Sequence, residues 1–225
     1  MKKLIIWGTT SQAIVLNEFV NLIGYKLIAF FDDDPNAKSL SSKIPIYFGI
    51  QGFNDWWSNI TNKKDIYFAV AIGGDKGKDR KRIQNFLEHQ GLNVTTMIHS
   101  SAFVASNAHI GKGSQILAQS SVCAKVKLSQ ACIVNTSASI DHECIIGKGV
   151  HVGPGANLGG CVTIGDYSFI GMGSVLLPNV NIGHSTTIGA GSVVTKNIPN
   201  NVVCYGNPAK IMHRKNLVNS QKIQL

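Results

Sequence analysis

The stretch from Val104 to Pro199 repeats every six residues without a break in register, and this feature constrains the fold more than any other. The fifth position of each repeat is mostly small or β-branched, and the second position is often glycine. The first position holds a branched aliphatic residue in all sixteen repeats: Val104, Ile110, Ile116, Val122, Leu128, Val134, Ile140, Ile146, Val152, Leu158, Ile164, Ile170, Leu176, Ile182, Ile188 and Val194.

Such a short fixed period is typical of a parallel β-helix, in which each unit buries its apolar side only by stacking on its neighbours. We expect positions one and five to face the core. Glycine at position two would relieve crowding or allow a positive φ. An α-helix is excluded, because a spacing of six does not follow a period of 3.6 and glycine is too frequent.

The first hundred residues have a different pattern, in which short apolar runs alternate with helical patterns. Alternation of this kind predicts a parallel α/β sheet. We therefore expect an α/β domain over residues 1–100, a β-helix over residues 101–212 and a tail over residues 213–225. The strands are expected at Lys3–Trp7, Leu27–Phe31, Ile66–Ile72 and Val94–Ile98.

Charge and hydropathy restrict the class of protein. The chain has 225 residues and a formal net charge of +9, but its lysines are scattered and lack interleaved aromatic residues, so nucleic-acid binding is not expected. An anionic small molecule fits this charge better.

No apolar run approaches the ~20 residues that span a bilayer, and the cytoplasm is the expected location. The basic run from Lys76 to Arg82 is expected to be a solvated helix face, with phosphate binding as the alternative.

The cysteines predict neither a disulfide framework nor a metal site. There are five, an odd number, and no C-x-x-C pair occurs. Cys132 and Cys144 occupy the inward fifth position, where a thiol behaves as a small hydrophobic side chain.

Three predicted strands of the first domain end in polar or glycine-rich turns, at Gly8–Gln12, Asp32–Asp34 and Gly73–Asp75. Ligands of parallel α/β sheets bind beyond the carboxyl ends of the strands, and a helix start after a strand suits a phosphate. The first turn has one glycine where G-x-G-x-x-G needs three, which argues against a hydride-transfer cofactor. Asp32 and Asp33 fit either a ligand contact or a turn with a helix cap.

The strongest candidate for chemistry in the repeat region is His142, which occupies the outward third position and is followed by Glu143. A carboxylate beside an imidazole can hold one tautomer and raise its basicity, as general-base catalysis requires. Such pairs also arise by chance, and an isolated histidine there is usually a surface residue.

Three stretches, Asn135–Cys144, His151–Ala156 and Gly206–Lys210, resemble bacterial left-handed β-helix sugar acetyltransferases. The nearest members are the UDP-4-amino-sugar N-acetyltransferases, with the sialic acid O-acetyltransferases as relatives. The resemblance covers nearly the whole chain and supplies the handedness of the β-helix. It implies a homotrimer that acetylates a nucleotide-linked amino sugar for glycan biosynthesis, with acetyl-CoA between neighbouring solenoids and no metal.

The resemblance also implies roles for individual residues. His142 matches the catalytic base, Glu143 the acid that raises its basicity, and Asn135 a residue near the reacting amine. The acetyl-CoA cleft is matched by His151, Met172 and Ala190, and the nucleotide-sugar site by Thr10, Ser11, Gln12, Asp32, Asp33 and Gly73. We further expect the backbone N–H of Gly160, which follows His142 by one full coil of the solenoid, to stabilise the oxyanion of the reaction.

Three other functions remain open at this stage. A sialic acid O-acetyltransferase would use the same base on a hydroxyl group. A carbonic anhydrase would need three histidines converging on zinc, and His142 and His151 lack the expected spaced partner. A non-catalytic scaffold would bind no acetyl-CoA.

Overall fold

The computed structural model describes residues 1–215. These residues divide into two compact units: the first contains Met1–Gly73 and Arg82–Thr95, and the second contains Gly74–Lys81 and the chain from Thr96 onward. The predicted domain ranges 1–100 and 101–212 stay predictions, and the structure groups the short segment Gly74–Lys81 with the second unit. Most of the predicted tail, residues 216–225, lies outside the described residues.

The first unit is built on a parallel sheet of five strands in the order β3-β2-β1-β4-β5. This confirms the predicted α/β sheet. The elements of this part of the chain are β1 (Lys2–Trp7), α1 (Ser11–Phe19), β2 (Tyr25–Asp32), β3 (Ile46–Phe48), α2 (Gly49–Ser58), β4 (Ile66–Val70), α3 (Gly77–His89) and β5 (Asn93–Val94). The order of the strands reverses between β1 and β4, so the carboxyl ends of these strands mark the switch point where ligands of such sheets bind.

Aromatic side chains hold the core of the first unit together. Trp7 on β1 stacks on Phe31 of β2 with ring centroids 5.5 Å apart, and it meets Phe86 edge-on at 6.0 Å. Phe31 also packs edge-on against Phe53 of α2. Offset and edge-to-face pairs of this kind add to the free energy gained by burial.

The second unit is a parallel β-helix, as predicted. Strands that lie one coil apart in sequence pair in register, as Ser121 pairs with Ser139 and Lys127 with Ile145. The strands are β6 (Met97–Ile98), β7 (Phe103–Val104), β8 (His109–Ile110), β9 (Gln115–Ile116), β10 (Ser121–Val122), β11 (Lys127–Leu128), β12 (Ile133–Val134), β13 (Ser139–Ile140), β14 (Ile145–Ile146), β15 (His151–Val152), β16 (Asn157–Leu158), β17 (Thr163–Ile164), β18 (Phe169–Ile170), β19 (Val175–Leu176), β20 (Asn181–Ile182), β21 (Thr187–Ile188), β22 (Val193–Val194), β23 (Val202–Gly206) and β24 (Ala209–Arg214).

Within the described chain these strands form three sheets, one for each side of the coil. Sheet B runs β24-β23-β21-β18-β15-β12-β9-β6, sheet C runs β22-β19-β16-β13-β10-β7, and sheet D runs β20-β17-β14-β11-β8. All pairs are parallel except the terminal hairpin of β23 and β24, which contains the Gly206–Lys210 stretch. The aliphatic first-position residues and the small fifth-position residues form one continuous buried cluster, including Cys132 and Cys144.

The structure distinguishes the two explanations offered for glycine at the second position. A Cβ on Gly165 or Gly171 would lie 2.5 Å from a backbone nitrogen of the next coil, so glycine is needed there to relieve crowding. The positive φ falls instead on the fourth position, where glycine alternates with other residues such as Lys125 and Glu143.

Two other expectations were wrong. The predicted strand Val94–Ile98 is two strands, because Val94 pairs in the first unit's sheet and Met97 in sheet B. The basic run is not a uniformly solvated face, because Arg80 is fully buried in the second unit. Its guanidinium donates to the carbonyl oxygens of Ala131 and Gly149, each at 2.8 Å.

None of the helices described in residues 1–215 has both the length and the apolar character needed to cross a bilayer.

Candidate active site

The pair His142–Glu143 forms a turn at the corner of the coil between β13 and β14. Glu143 occupies the fourth position with a φ of 58°, and its N–H donates to the carbonyl oxygen of Ala124 in the preceding coil. The N–H of His142 donates to the side chain of Asp141 at 2.7 Å. The stacked coils therefore fix the backbone of this turn, and both side chains point away from the core into solvent.

The imidazole of His142 is oriented by a carboxylate. Its Nδ1 lies 3.3 Å from Glu143 Oε2, and Lys125 Nζ lies 3.5 Å from Glu143 Oε1. The hydrogen bond from His142 lowers the pKa of the Glu143 carboxyl, and the charge of Lys125 lowers it further. An ionised carboxylate favours the tautomer with the proton on Nδ1, which leaves the lone pair of Nε2 able to accept a proton.

Gly160 lies against the other side of this ring. A Cβ on Gly160 would overlap His142 Nε2, so the position accepts only glycine while the ring keeps its orientation. The neighbouring Cys161 N–H donates to the carbonyl oxygen of His142 at 2.9 Å. Among the described residues, no acceptor receives the N–H of Gly160. Gly160 itself is buried beneath the ring of His142, and its role as the oxyanion donor stays a prediction.

Asn135 and His151 are joined at a second place, on sheet B. Asn135 Nδ2 lies 3.0 Å from His151 Nε2, and His151 Nδ1 lies 3.2 Å from the carbonyl oxygen of Gly74. A carbonyl oxygen can only accept, so Nδ1 carries the proton and Nε2 accepts from the amide. Burial, followed by the charge of Arg80, lowers the pKa of His151 to about 3. His151 is therefore a neutral, buried residue that orients Asn135, while a direct contact with acetyl-CoA stays a prediction.

Met172 and Ala190 lie at a third place, on the corner between sheets B and C, stacked one coil apart. Both are exposed, Met172 by 59%. A Cβ on the neighbouring Gly171 would meet Ala190 N, so the two coils are in close contact here. The residues predicted to bind acetyl-CoA are thus divided between two corners and one face of the solenoid in a single chain.

In the first unit, Asp32 joins two of the predicted turns. Its Oδ2 accepts hydrogen bonds from the Thr9 backbone N–H at 2.9 Å and from the Thr9 hydroxyl at 2.6 Å, and its Oδ1 accepts from the Asp34 N–H at 3.0 Å. The side chain of Asp32 therefore stabilises the turns after β1 and β2, and stabilising a turn was one of its two expected roles. Gly8 has a φ of 107°, and a Cβ there would lie 2.5 Å from Ala71 O, so the loops after β1 and β4 approach closely.

The other predicted nucleotide-sugar residues follow the same strand ends. Thr10 and Ser11 are exposed at the start of α1, whereas Gln12 is buried. Asp33 is exposed after β2, and Gly73 follows β4. The structure brings these turns to the carboxyl edge of one sheet, where the N-terminus of α1 favours an anion.

Sequence reasoning overlooked three residues of these sites. Thr9 was passed over because an isolated threonine carries no signal. Arg80 was not singled out because it lies within a run of basic residues and carries no signal of its own. Cys161 could have been found by moving one full coil along the chain from Glu143. The structure brings Cys161, Glu143 and His142 together, with one possible ligand atom from each lying within 4.8 Å of the others.

Comparisons with known families agree with this architecture. The model described as PglD N-terminal domain matches residues 3–87, and the model of the bacterial transferase hexapeptide, with six repeats, matches residues 161–196. The chain therefore combines a PglD N-terminal domain with bacterial transferase hexapeptide repeats. The predicted resemblance and the two-part fold are confirmed.

Individual relatives show how far the similarity extends. The GDP-perosamine N-acetyltransferase of Escherichia coli O157:H7 is 34% identical over 104 residues, which are 46% of each chain, so the match spans about half the length of that relative. PerB from Caulobacter crescentus, solved in complex with CoA and GDP-perosamine, has a TM-score of 0.85 at 28% identity over 95% of this chain and 98% of its own. The acetyltransferase domain of PglB from Neisseria gonorrhoeae, in complex with acetyl coenzyme A, has a TM-score of 0.82 at 28% identity over 94% and 99%.

Proposed function

We propose that this protein transfers the acetyl group of acetyl-CoA to the amine of a nucleotide-linked amino sugar used in surface-glycan biosynthesis. The observation that carries the proposal is the geometry of His142, whose Nδ1 faces an ionised carboxylate while its Nε2 faces Gly160. The relatives support it, because the similar enzymes are GDP-perosamine N-acetyltransferases and a PglB domain bound to acetyl coenzyme A.

In the proposed mechanism His142 is the general base. The sugar amine attacks the thioester carbon, a C–N bond forms, and His142 Nε2 takes the amine proton. The C–S bond then breaks and the imidazolium returns the proton to the leaving thiolate. Between these two steps, the carboxylate of Glu143 stabilises the imidazolium form of His142. Positioned general-base assistance contributes about 10²–10⁴-fold in rate, and holding amine and thioester together contributes up to ~7–11 kcal/mol.

The negative charge of the tetrahedral intermediate needs a hydrogen-bond donor. We assign this role to the N–H of Gly160, which has no acceptor among the described residues and lies beside the base. A donor fixed by the backbone is already oriented when the charge develops, which is why such groups lower the barrier strongly.

The acetyl-CoA and sugar sites follow from the remaining residues. We place acetyl-CoA between neighbouring solenoids of a homotrimer, with Met172 and Ala190 from one subunit and His142 from the next, because these residues lie on different corners of one chain. His151 holds Asn135 near the amine. Thr10, Ser11, Gln12, Asp32, Asp33 and Gly73 are proposed to hold the nucleotide sugar.

The identity of the nucleotide is open to a direct test. The family resemblance stated above implies a UDP-linked 4-amino sugar, whereas two of the relatives act on or bind GDP-perosamine. The alternative function, O-acetylation of sialic acid, would need no nucleotide. We keep the cytoplasm, where these substrates would be available, as the proposed location.

The function is tested by product analysis with UDP-, GDP- and dTDP-linked amino sugars and with sialic acid, each with acetyl-CoA. We expect an N-acetylated nucleotide sugar. Acetylation of sialic acid alone would favour the alternative, and no acetylated product from any nucleotide sugar would refute the proposal.

The role of His142 is tested by His142→Ala. We expect kcat to fall by about 10²–10⁴-fold, because general-base assistance is lost, while the Kd for CoA stays within about threefold. The matched control is His184→Ala, which removes another exposed histidine from the third position of a repeat, but one whose Nδ1 faces the hydroxyl of Ser185 at 3.4 Å. Turnover close to that of the unmodified protein in His142→Ala would remove this residue from the mechanism.

A further inference from the structure

We propose that His142, Glu143 and Cys161 form an inhibitory site for a thiophilic divalent metal ion, with Zn²⁺ as the best-fitting ion. The site deepens the proposed function, on which its regulatory meaning rests, because the metal would occupy the catalytic base. It is distinct from a metal cofactor, since the acetyl transfer described above uses no metal.

The three ligands are brought together by the stacking of two coils. Glu143 and Cys161 both occupy the left-handed fourth position, with φ values of 58° and 60°, and they are separated by one full coil, so one lies directly above the other. The hydrogen bond from Cys161 N to His142 O, at 2.9 Å, fixes the two turns relative to each other. The backbone therefore fixes the spacing of the three residues, and only the side-chain rotations remain to be set.

The donor set suits zinc. One ligand atom from each residue lies within 4.8 Å of the others, and the side chains of His142 and Glu143 are 53% and 49% exposed, so small rotations can close the remaining distance. Imidazole nitrogen, carboxylate oxygen and thiolate sulfur bind Zn²⁺ at about 2.0–2.3 Å, and a tetrahedral site with three protein ligands keeps its fourth position for water. The thiolate selects zinc over magnesium or calcium, which prefer oxygen ligands.

Metal binding and base catalysis are mutually exclusive at this corner. If the metal takes Nε2, the lone pair that accepts the amine proton is lost. If it takes Nδ1, the hydrogen bond that makes Glu143 assist the imidazole is lost. We therefore expect Zn²⁺ to lower kcat, and acetyl transfer to recover when the metal is removed by a chelator.

The first experiment measures metal binding without reference to activity. Co²⁺ is titrated into the full-length protein, and we expect a thiolate-to-cobalt charge-transfer absorption that Zn²⁺ abolishes by displacement. The absorption should persist in Cys123→Ser, a control that removes a partly exposed cysteine of the preceding coil, and disappear in Cys161→Ser. Absence of the band in the unmodified protein, or its persistence in Cys161→Ser, would overturn the proposal.

The second experiment measures inhibition in zinc-buffered solution. Initial rates of sugar acetylation are followed by product chromatography, because the CoA thiol that is released also binds zinc, and a phosphine is used as the reductant in place of a thiol. Relative to its own rate without zinc, Cys161→Ser should need at least about 10-fold more Zn²⁺ for half-inhibition, because loss of a ligand weakens binding at least as much as loss of a supporting group does. Equal sensitivity of Cys161→Ser and the unmodified protein would refute an inhibitory site. A protein that acetylates no sugar would refute the proposed function alone, because the cobalt titration would still test metal binding.

Discussion

Two histidines of the solenoid illustrate how local surroundings set the chemistry of one residue type. The ring of His142 is half exposed beside a carboxylate, which can stabilise the imidazolium form. The ring of His151 is buried, and the charge of Arg80 adds to the effect of burial in lowering its pKa to about 3. The carboxylate beside His142 favours the tautomer whose Nε2 can accept a proton, whereas burial keeps His151 neutral and its Nε2 holds the amide of Asn135.

The contact between Gly160 and His142 predicts a loss of activity without a loss of folding. In Gly160→Ala the new methyl group would overlap His142 Nε2 and rotate the exposed ring away from its orientation. We expect kcat to fall by about 10²-fold, with the thermal midpoint almost unchanged, since misplacement of a catalytic group is costly even when the fold is intact.

The matched control for this prediction is the double variant Gly160→Ala with His142→Ala. If the methyl group acts through the ring, the double variant should be no slower than His142→Ala alone, because the two effects are not additive. Additive losses of kcat would show that Gly160 acts through its own backbone, without involving the ring.

The lowered pKa of His151 predicts a pH dependence of stability. The unfolded state titrates near pH 6.5 and the folded state near 3, so the unfolded state binds more protons between these values. The stability associated with neutral His151 is fully present above about pH 6.5 and is lost as the pH falls, at up to about 1.4 kcal/mol per pH unit. His151→Gln, measured by urea unfolding between pH 7 and pH 4, should have a shallower slope, and His184→Gln should not. An unchanged slope in His151→Gln would contradict this explanation.

At the scale of the element, helix α3 shows why a charge pattern read along the chain can mislead. Its first residues belong to the second unit, where Arg80 donates to the carbonyl oxygens of Ala131 and Gly149. Burial lowers the pKa of Arg80 to about 10, which leaves the guanidinium charged at neutral pH. The acceptors come from parts of the chain 51 and 69 residues away, so no local pattern could identify them.

Loss of this arginine is expected to destabilise the protein. Arg80→Ala would leave two buried carbonyl oxygens without a donor, each costing about 1–3 kcal/mol, so the free energy of unfolding should fall by about 2–6 kcal/mol. Lys78→Ala, at an exposed position of the same helix, should change it by less than about 0.5 kcal/mol. Urea denaturation measures both, and similar midpoints for the two variants would show that the buried hydrogen bonds contribute little.

The repeats were predictable because their rule is local and periodic. A residue every six positions identified the core, and the three repeats that make up each coil placed Gly160 beside His142 before any coordinates were known. The division of Val94–Ile98 between two sheets was not predictable, because both halves are apolar and only their pairing partners differ. The buried position of His151 was not predictable from the local sequence either, because its partner, the carbonyl oxygen of Gly74, is 77 residues away along the chain.

At the scale of the whole molecule, one chain leaves large apolar side chains exposed on the solenoid. Phe103, Ile145 and Met172 are 58%, 50% and 59% exposed. They lie on different sides of the coil and form no single patch, so by themselves they do not identify an interface. The homotrimer stays a prediction from the family resemblance, and for a trimer light scattering should give three times the chain mass of 24.2 kDa.

A shared acetyl-CoA site makes a stronger prediction than the mass alone. His142→Ala removes the base, and Ala190→Trp should block the cleft by filling an exposed corner, so each variant alone should be inactive. In trimers assembled from both chains, a cleft that combines His142 of one subunit with Ala190 of the next is intact in about a quarter of random pairings, so co-expression should restore about a quarter of the activity. No recovery in mixed trimers would mean that each site is formed within one chain, because two variants can complement each other only where the subunits contribute different residues to the same cleft.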